Sequence, residues 1–359
     1  MSDGQTPLPD RRFYAPELDG LRFVAALLVF VHHLPPIPYL EIVKNCGWAG
    51  VDLFLTLSAF LITRLIIIEY ETNGSFDIQS FFIRRALRIW PLLFCYVTLL
   101  SLYAVLAGAV GGQVGLAWWL GHVSFTNNVM TAIHGFSPVP YTAHLWTISL
   151  EEQAYVVMPL LILAFLVTGA NRTKAIWFSV AAIAVMMVAR TALVLLDTPH
   201  PVISVLPIRG DAFIAGALGA IIFRKPVQSA ISALAIGGLS LIAILLFRNI
   251  DVAGPGQIVG YSLIAFGCIS IVLGVQAYPP AKSLLSNRVI GYLGKISYGI
   301  YVYHLIAIDM ANRLGLGAYA TAVIGLALAV AIAALSYSVL ERPFLVLKER
   351  FAKVESRPV

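Results

Sequence analysis

In the apolar stretch LDGLRFVAALLVFVHHL, residues 18–34, Arg22 stands near the start and His32 and His33 near the end. Ionisable side chains at membrane depth are costly, so each marks a candidate site whose partner has to be found. On a helix, Arg22 and His33 are about three turns apart, which puts them on one face, about 16.5 Å from each other along the axis; His32 lies about 80° away. An arginine at the membrane boundary binds phosphate, and an imidazole held in an apolar setting takes or gives a proton. The plainer reading is that Arg22 snorkels to the headgroups and that the histidines are hydrogen-bonded packing residues.

Two further clusters favour chemistry. HLWTISLEEQAYVVMP, residues 144–159, carries Glu151 and Glu152 inside another apolar run. Counted from the outer end of that run, the two carboxylates lie about 10 to 12 Å deep, close to the level predicted for His33. Glu151 or Glu152 would then hold the His33 ring and stabilise its imidazolium while it acts as general base. SFFIRRALRIWP, residues 80–91, places Arg85 and Arg88 at i and i+3 with Arg84 beside them. Guanidinium forks in that spacing grip a phosphate, although a juxtamembrane arginine is more often only a topology anchor.

Asp52, Arg209, Asp211, Ser297, Tyr298 and His304 also fall within or at the ends of apolar runs. For each, an interhelical hydrogen bond or ion pair is the expected use, with substrate contact as the rival. Arg209 and Asp211 are too close in sequence to face each other on a helix, so each should pair with another element. Tyr298 and Ser297 are the candidates for donors to an oxyanion.

The elements that must position these groups are membrane helices. The chain is 59% hydrophobic and 12% charged, with a mean hydropathy of +0.87, well outside the range of soluble domains. Apolar runs at 20–37, 48–69, 89–110, 144–168, 175–196, 206–223, 228–247, 257–276, 291–310 and 317–340 predict an all-α, polytopic bundle of about ten spans forming one membrane domain over residues 1–359. The run near 115–130, with His122, Asn127 and Asn128, is ambiguous. If it does not cross, the basic residues Arg11, Arg12, Arg84, Arg85, Arg88, Arg172, Lys174, Arg224, Lys225, Lys282, Arg288, Lys348, Arg350, Lys353 and Arg357 share one side; Lys44, Arg209, Arg248 and Arg313 take the other. The positive-inside rule therefore predicts a cytoplasmic N-terminal segment 1–19, a basic cytoplasmic tail 345–359, and an outer-side excursion at 111–143. The net charge of +6 is spread over these loops, which excludes a nucleic-acid-binding run. Cys46, Cys95 and Cys268 lack the spacing of a metal site, so no metal is expected.

The segments ELDGLRFVAALLVFVHHL, GVDLFLTLSAFLITRL, FFIRRALRIWP, HLWTISLEEQAYVVMPLL, RGDAFIAGALGAII, ISYGIYVYH and SYSVLERPF follow one another as in the acyltransferase 3 family of integral-membrane O-acyltransferases, which the chain resembles over essentially its whole length. By that resemblance Arg22 and His33 match the family's Arg-x10-His motif, and Arg85 and Arg88 its Arg-x-x-Arg motif. The resemblance implies ten helices, a bacterial cytoplasmic membrane, and acyl-coenzyme A, most simply acetyl-coenzyme A, as co-substrate, with no permanently bound cofactor. The acceptor would be a hydroxyl of a cell-surface polysaccharide or lipid-linked sugar. Ala59 departs from the glycine common in the family's LSGFLI-like segment. No hydrolase-like extracytoplasmic domain of the kind fused to some relatives is expected, which leaves transfer to the membrane domain or a separate partner. On this reading the phosphates of the donor meet Arg22, Arg84, Arg85 and Arg88, and His33 acts as base or, alternatively, is itself acylated. The rivals are acylation of a small natural product such as a macrolide, and a proton-coupled transporter in which His33 and Glu152 relay protons.

Overall fold

The computed structural model describes residues 13–224, Leu239 and residues 255–354. Within them the chain is helical and forms no strand. Helix α1 (Pro16–His32) opens with proline in its first turn and with Glu17 and Asp19 at its positive end, a favourable start on both counts. It stops at His33, before Pro35 and Pro36, rather than running on to residue 37 as the hydropathy suggests, because neither proline can donate the next helical hydrogen bond. Helix α2 (Ala49–Asn73) ends on Gly74, whose φ of 70° is the left-handed cap that glycine supplies cheaply. Helix α3 (Ile78–Leu106) is capped by Asp77, which accepts a hydrogen bond from the Ser80 backbone N–H at 2.9 Å. That cap starts the helix eleven residues before the apolar run, so Arg84, Arg85 and Arg88 all ride on its first turns.

Residues 111–143 form α4 (Gly112–Val123) and α5 (Asn127–His134). At about 1.5 Å per residue, neither is long enough to cross a bilayer. Next come α6 (Trp146–Val167), entered through a 3-10 turn at Ala143–Leu145, then α7 (Arg172–Leu195), α8 (Asp211–Ile222), α9 (Pro255–Ala277), α10 (Ser297–Asn312) and α11 (Ala318–Ser336). A π-helical turn, Tyr337–Glu341, carries α11 directly into a last amphipathic helix, α12 (Arg342–Glu349). Among the described residues, six helices are long and apolar enough to cross a membrane: α2, α3, α6, α7, α9 and the continuous Ala318–Glu349. The predicted spans at 20–37, 206–223 and 291–310 correspond to the shorter α1, α8 and α10. The run 228–247, apart from Leu239, lies outside the described residues.

Helix α2 is the hub. Two-thirds of its apolar window is buried, against 11% for α7, which turns most of its surface outward. Around α2 pack α1, α6, α8 and α9. The contact of α2 with α8 is close because Gly216 faces Thr56 and Ala59; a Cβ on Gly216 would come within 2.4 Å of the Thr56 carbonyl oxygen. With glycine on α8, Ala59 on α2 is accommodated. Two buried ion pairs fasten the same region. Arg209 donates from Nε and Nη2 to both oxygens of Asp52, at 3.2 and 2.5 Å. Arg190 donates to both oxygens of Asp211, at 2.5 and 3.1 Å, and to Ser262. Arg209 and Asp211, two residues apart, thus bond to different helices, and Arg209 is an interior side chain rather than a loop charge. Arg190, fully buried near the C-terminal end of α7, is legible in the sequence as a lone arginine inside an apolar run.

Candidate functional site

The site begins at a basic mouth. Arg85 and Arg88 from α3 and Arg22 from α1 line a cavity of about 410 Å³, together with Asp19, Phe13 and Lys348. Arg22 reaches Asp19 at 3.5 Å. The guanidinium of Arg85 lies over the rings of Phe81 and Tyr155, 5.6 and 5.1 Å from their centroids. Neither Arg85 nor Arg88 forms a hydrogen bond or an ion pair with a described residue, so two buried or half-buried cations converge with their donors uncommitted. Arg84 also borders the cavity but is engaged elsewhere: it donates to the Phe351 carbonyl at 2.6 Å and to Glu69 at 3.5 Å. Of the four arginines expected to act together, Arg84 therefore ties the C-terminal segment to α3.

Beyond the mouth lies a neck of about 70 Å³, lined on one side by the same Arg22, Arg85 and Arg88 and on the other by Val51, Thr147 and Tyr301. Glu151 projects into it. Its carboxylate accepts hydrogen bonds from the Ser58 hydroxyl at 2.7 Å and from the Tyr155 hydroxyl. Glu152 accepts from the Trp90 indole N–H at 3.3 Å. The Tyr298 hydroxyl donates to the Ile89 carbonyl and that of Ser297 to the Gly294 carbonyl, both at 2.9 Å. These two side chains thus spend their donors on the main chain, not on a reacting oxygen.

The neck shares Val51, Thr147 and Tyr301 with a chamber of about 140 Å³ that holds His32, His33, His144, Trp48 and Trp146 and is bordered by Arg209. His33, the residue that terminates α1, places Nδ1 2.9 Å from the Val29 carbonyl oxygen and 3.3 Å from Nε2 of His304. His304 in turn places its own Nδ1 2.6 Å from the Tyr301 carbonyl oxygen. A carbonyl oxygen only accepts, so both Nδ1 atoms carry hydrogen and the remaining lone pair of each neutral ring sits on Nε2. His144 packs against His304 with ring centroids 4.7 Å apart, and neither of its ring nitrogens is hydrogen-bonded among the described residues.

The expected pairing of His33 with Glu151 or Glu152 is not formed: both carboxylates bond elsewhere, and the neighbour of His33 is a second imidazole. The depth count treats His144 as the surface end of its span, whereas His144 is buried beside His304. Glu151 is seven residues further along, about 10 Å closer to the arginines. The carboxylate level thus belongs to the neck and the imidazole level to the chamber. His304 is named in the sequence only as a polar residue of an apolar helix; its partnership with His33 depends on how α10 packs on α1, which spacing within either helix does not encode. Among the described residues, no group of three or more His, Cys, Asp or Glu side chains is arranged to hold a metal ion.

A family model described as an acyltransferase domain matches residues 16–340. The peptidoglycan O-acetyltransferase of Listeria monocytogenes is 25% identical over 321 residues, 82% of this chain and 49% of its own length. A Staphylococcus aureus protein provisionally named as an O-acetyltransferase is 26% identical over 96% of this chain and 59% of its own. A Bacillus subtilis protein provisionally named as a peptidoglycan O-acetyltransferase is 26% identical over 92% and 55%. The chain thus spans between half and three-fifths of the length of these relatives. No solved structure matches it significantly.

Proposed function

The chain belongs to the acyltransferase 3 family, and on that premise we propose that it is a multi-pass membrane O-acyltransferase that moves an acetyl group from acetyl-coenzyme A to a hydroxyl of a cell-surface carbohydrate. The names of its relatives support an O-acetyl group and a peptidoglycan-like acceptor. In this reading the helices make ten spans, counting 228–247, with both termini on the cytoplasmic side of a bacterial cytoplasmic membrane. The distribution of arginine and lysine over the loops supports that topology.

The observation that carries the reading is that three cavities run in series, joined by shared lining residues, from the uncommitted Arg85 and Arg88 to His33. The phosphates of coenzyme A bind Arg22, Arg85 and Arg88, where the donors of Arg85 and Arg88 are uncommitted among the described residues. The pantetheine arm passes Glu151 and Thr147, and the thioester arrives near His33. With Nδ1 protonated, Nε2 of His33 takes the proton of the acceptor hydroxyl as its oxygen attacks the thioester carbon. The carbon–sulfur bond breaks, and the imidazolium returns the proton to the departing thiolate.

The test is coenzyme A release by the purified protein in lipid nanodiscs, supplied with acetyl-coenzyme A and an N-acetylglucosamine oligosaccharide. His33→Ala is expected to abolish release while leaving the melting temperature unchanged. Near-normal turnover in that variant would sink the mechanism, and acceptor-independent uptake of substrate into vesicles would favour transport instead.

A further inference from the structure

We propose that His304 is the positioning residue of the site: it takes, as a neutral lone pair, the place that a carboxylate holds in a catalytic triad. The inference rests on the assignment of His33 as the base. His304 is 1% exposed, and its Nδ1–H is fixed on the Tyr301 carbonyl at 2.6 Å, one turn back on the same helix. The lone pair of Nε2 is thereby aimed at α1, where Nδ1 of His33 lies 3.3 Å away. His33 Nδ1–H is thus shared between two acceptors, the Val29 carbonyl and His304. Together they hold the ring in the tautomer that leaves Nε2 to accept the proton, and both strengthen when the ring becomes imidazolium, because a charged donor makes the stronger hydrogen bond.

A neutral partner suits the place. The groups that face this pair from the surrounding elements are His32 on α1, His144 on the turn entering α6, Tyr301 on α10, and Arg209 and Tyr261 across the chamber. The nearest carboxylate on that side, Asp52, is committed to Arg209. A carboxylate at position 304 would be a buried charge among three imidazoles with no cation beside it, and would itself need neutralising. An imidazole pinned by a carbonyl supplies direction without charge. His144 packs edge-on against the His304 ring, with centroids 4.7 Å apart, and so helps to fix its orientation.

The experiment compares the wild type, His304→Ala and His304→Gln in nanodiscs, with His33→Ala as reference and coenzyme A binding as the check on folding. Two measurements are made: the pH profile of coenzyme A release from acetyl-coenzyme A, and the titration of the His33 ring by 15N NMR, assigned with His33→Gln. Loss of one acceptor to the imidazolium should lower kcat at least about tenfold in His304→Ala and move the acid limb of the profile, and the midpoint of the ring titration, about one pH unit to lower pH. His304→Gln, whose amide oxygen can still accept, should recover part of both. An unmoved titration and profile in His304→Ala, or equal losses in Ala and Gln variants with the acid limb in place, overturns the proposal and leaves His304 a packing residue. Activity in His33→Ala overturns the assignment of the base, and with it this inference, whatever His304 does.

Discussion

Arg190 and Arg209 have side chains 0% and 5% exposed, and each is locked on both oxygens of an aspartate. Arg85 and Arg88, on the other side of the hub helix, have no hydrogen-bond acceptor among the described residues; Arg85 lies over two aromatic rings, and Arg22 and Glu151 line the same neck without bonding to either. The same residue type thus serves two ends. Where the guanidinium meets a carboxylate across helices, it fixes how α2, α7, α8 and α9 sit together. Where it is left without a hydrogen-bond acceptor beside a cavity, its donors stay available to an anion that enters.

The comparison breaks most sharply at the locked pairs. Asp52→Ala leaves the buried Arg209 without its carboxylate, and should cost about 3–5 kcal/mol, seen as loss of a folded peak or a large fall in melting temperature in detergent. The double variant Asp52→Leu/Arg209→Met should recover most of that loss, because removing both charges also removes their desolvation cost. If the single and double variants melt alike, the pair is not what holds α2 in place. At the mouth the pattern should invert. Arg88→Ala is expected to leave melting within about 0.5 kcal/mol of the wild type and to raise KM for acetyl-coenzyme A about tenfold, the worth of one charge-assisted hydrogen bond. A destabilised Arg88→Ala with unchanged KM would place it with the locked arginines.

Arg84 is the intermediate case, since it lines the mouth yet bonds to Phe351 and Glu69. Arg84→Ala should cost about 1 kcal/mol of stability with little change in KM, and protease should reach residues near 351 sooner. An effect on stability of similar size belongs to the cap of α3, with none expected on KM. Hydrogen bonds from the Ser80 backbone N–H and hydroxyl hold the Asp77 carboxyl below the usual carboxylate range. Its contribution is therefore present above the ordinary carboxylate pKa and fades as pH falls through the lowered value in the folded protein. Asp77→Ala should cost about 1 kcal/mol at neutral pH and remove that part of the acid sensitivity of melting.

What could be read in the sequence was whatever one helix decides by itself. Arg22 and His33 share a face because eleven residues make about three turns, and Arg85 and Arg88 converge because they are three apart. The long apolar runs announced α2, α3, α6, α7 and α9. Contacts between helices depend instead on where each enters the membrane and on tilt, which hydropathy does not fix. Hence Glu151 was placed one level too shallow, when its helix starts at a buried turn rather than at the surface. Hence also His304 stood unnoticed as a partner while two acidic residues drew attention. Ser297 and Tyr298 were credited with free hydroxyls that main-chain carbonyls in fact occupy.

The narrowness of the passage between mouth and chamber has a kinetic consequence. A donor anchored by its phosphates at the arginines fills the neck with its arm, so the spent carrier can leave only by withdrawing through the opening it came in by. Free coenzyme A should then inhibit competitively against acetyl-coenzyme A.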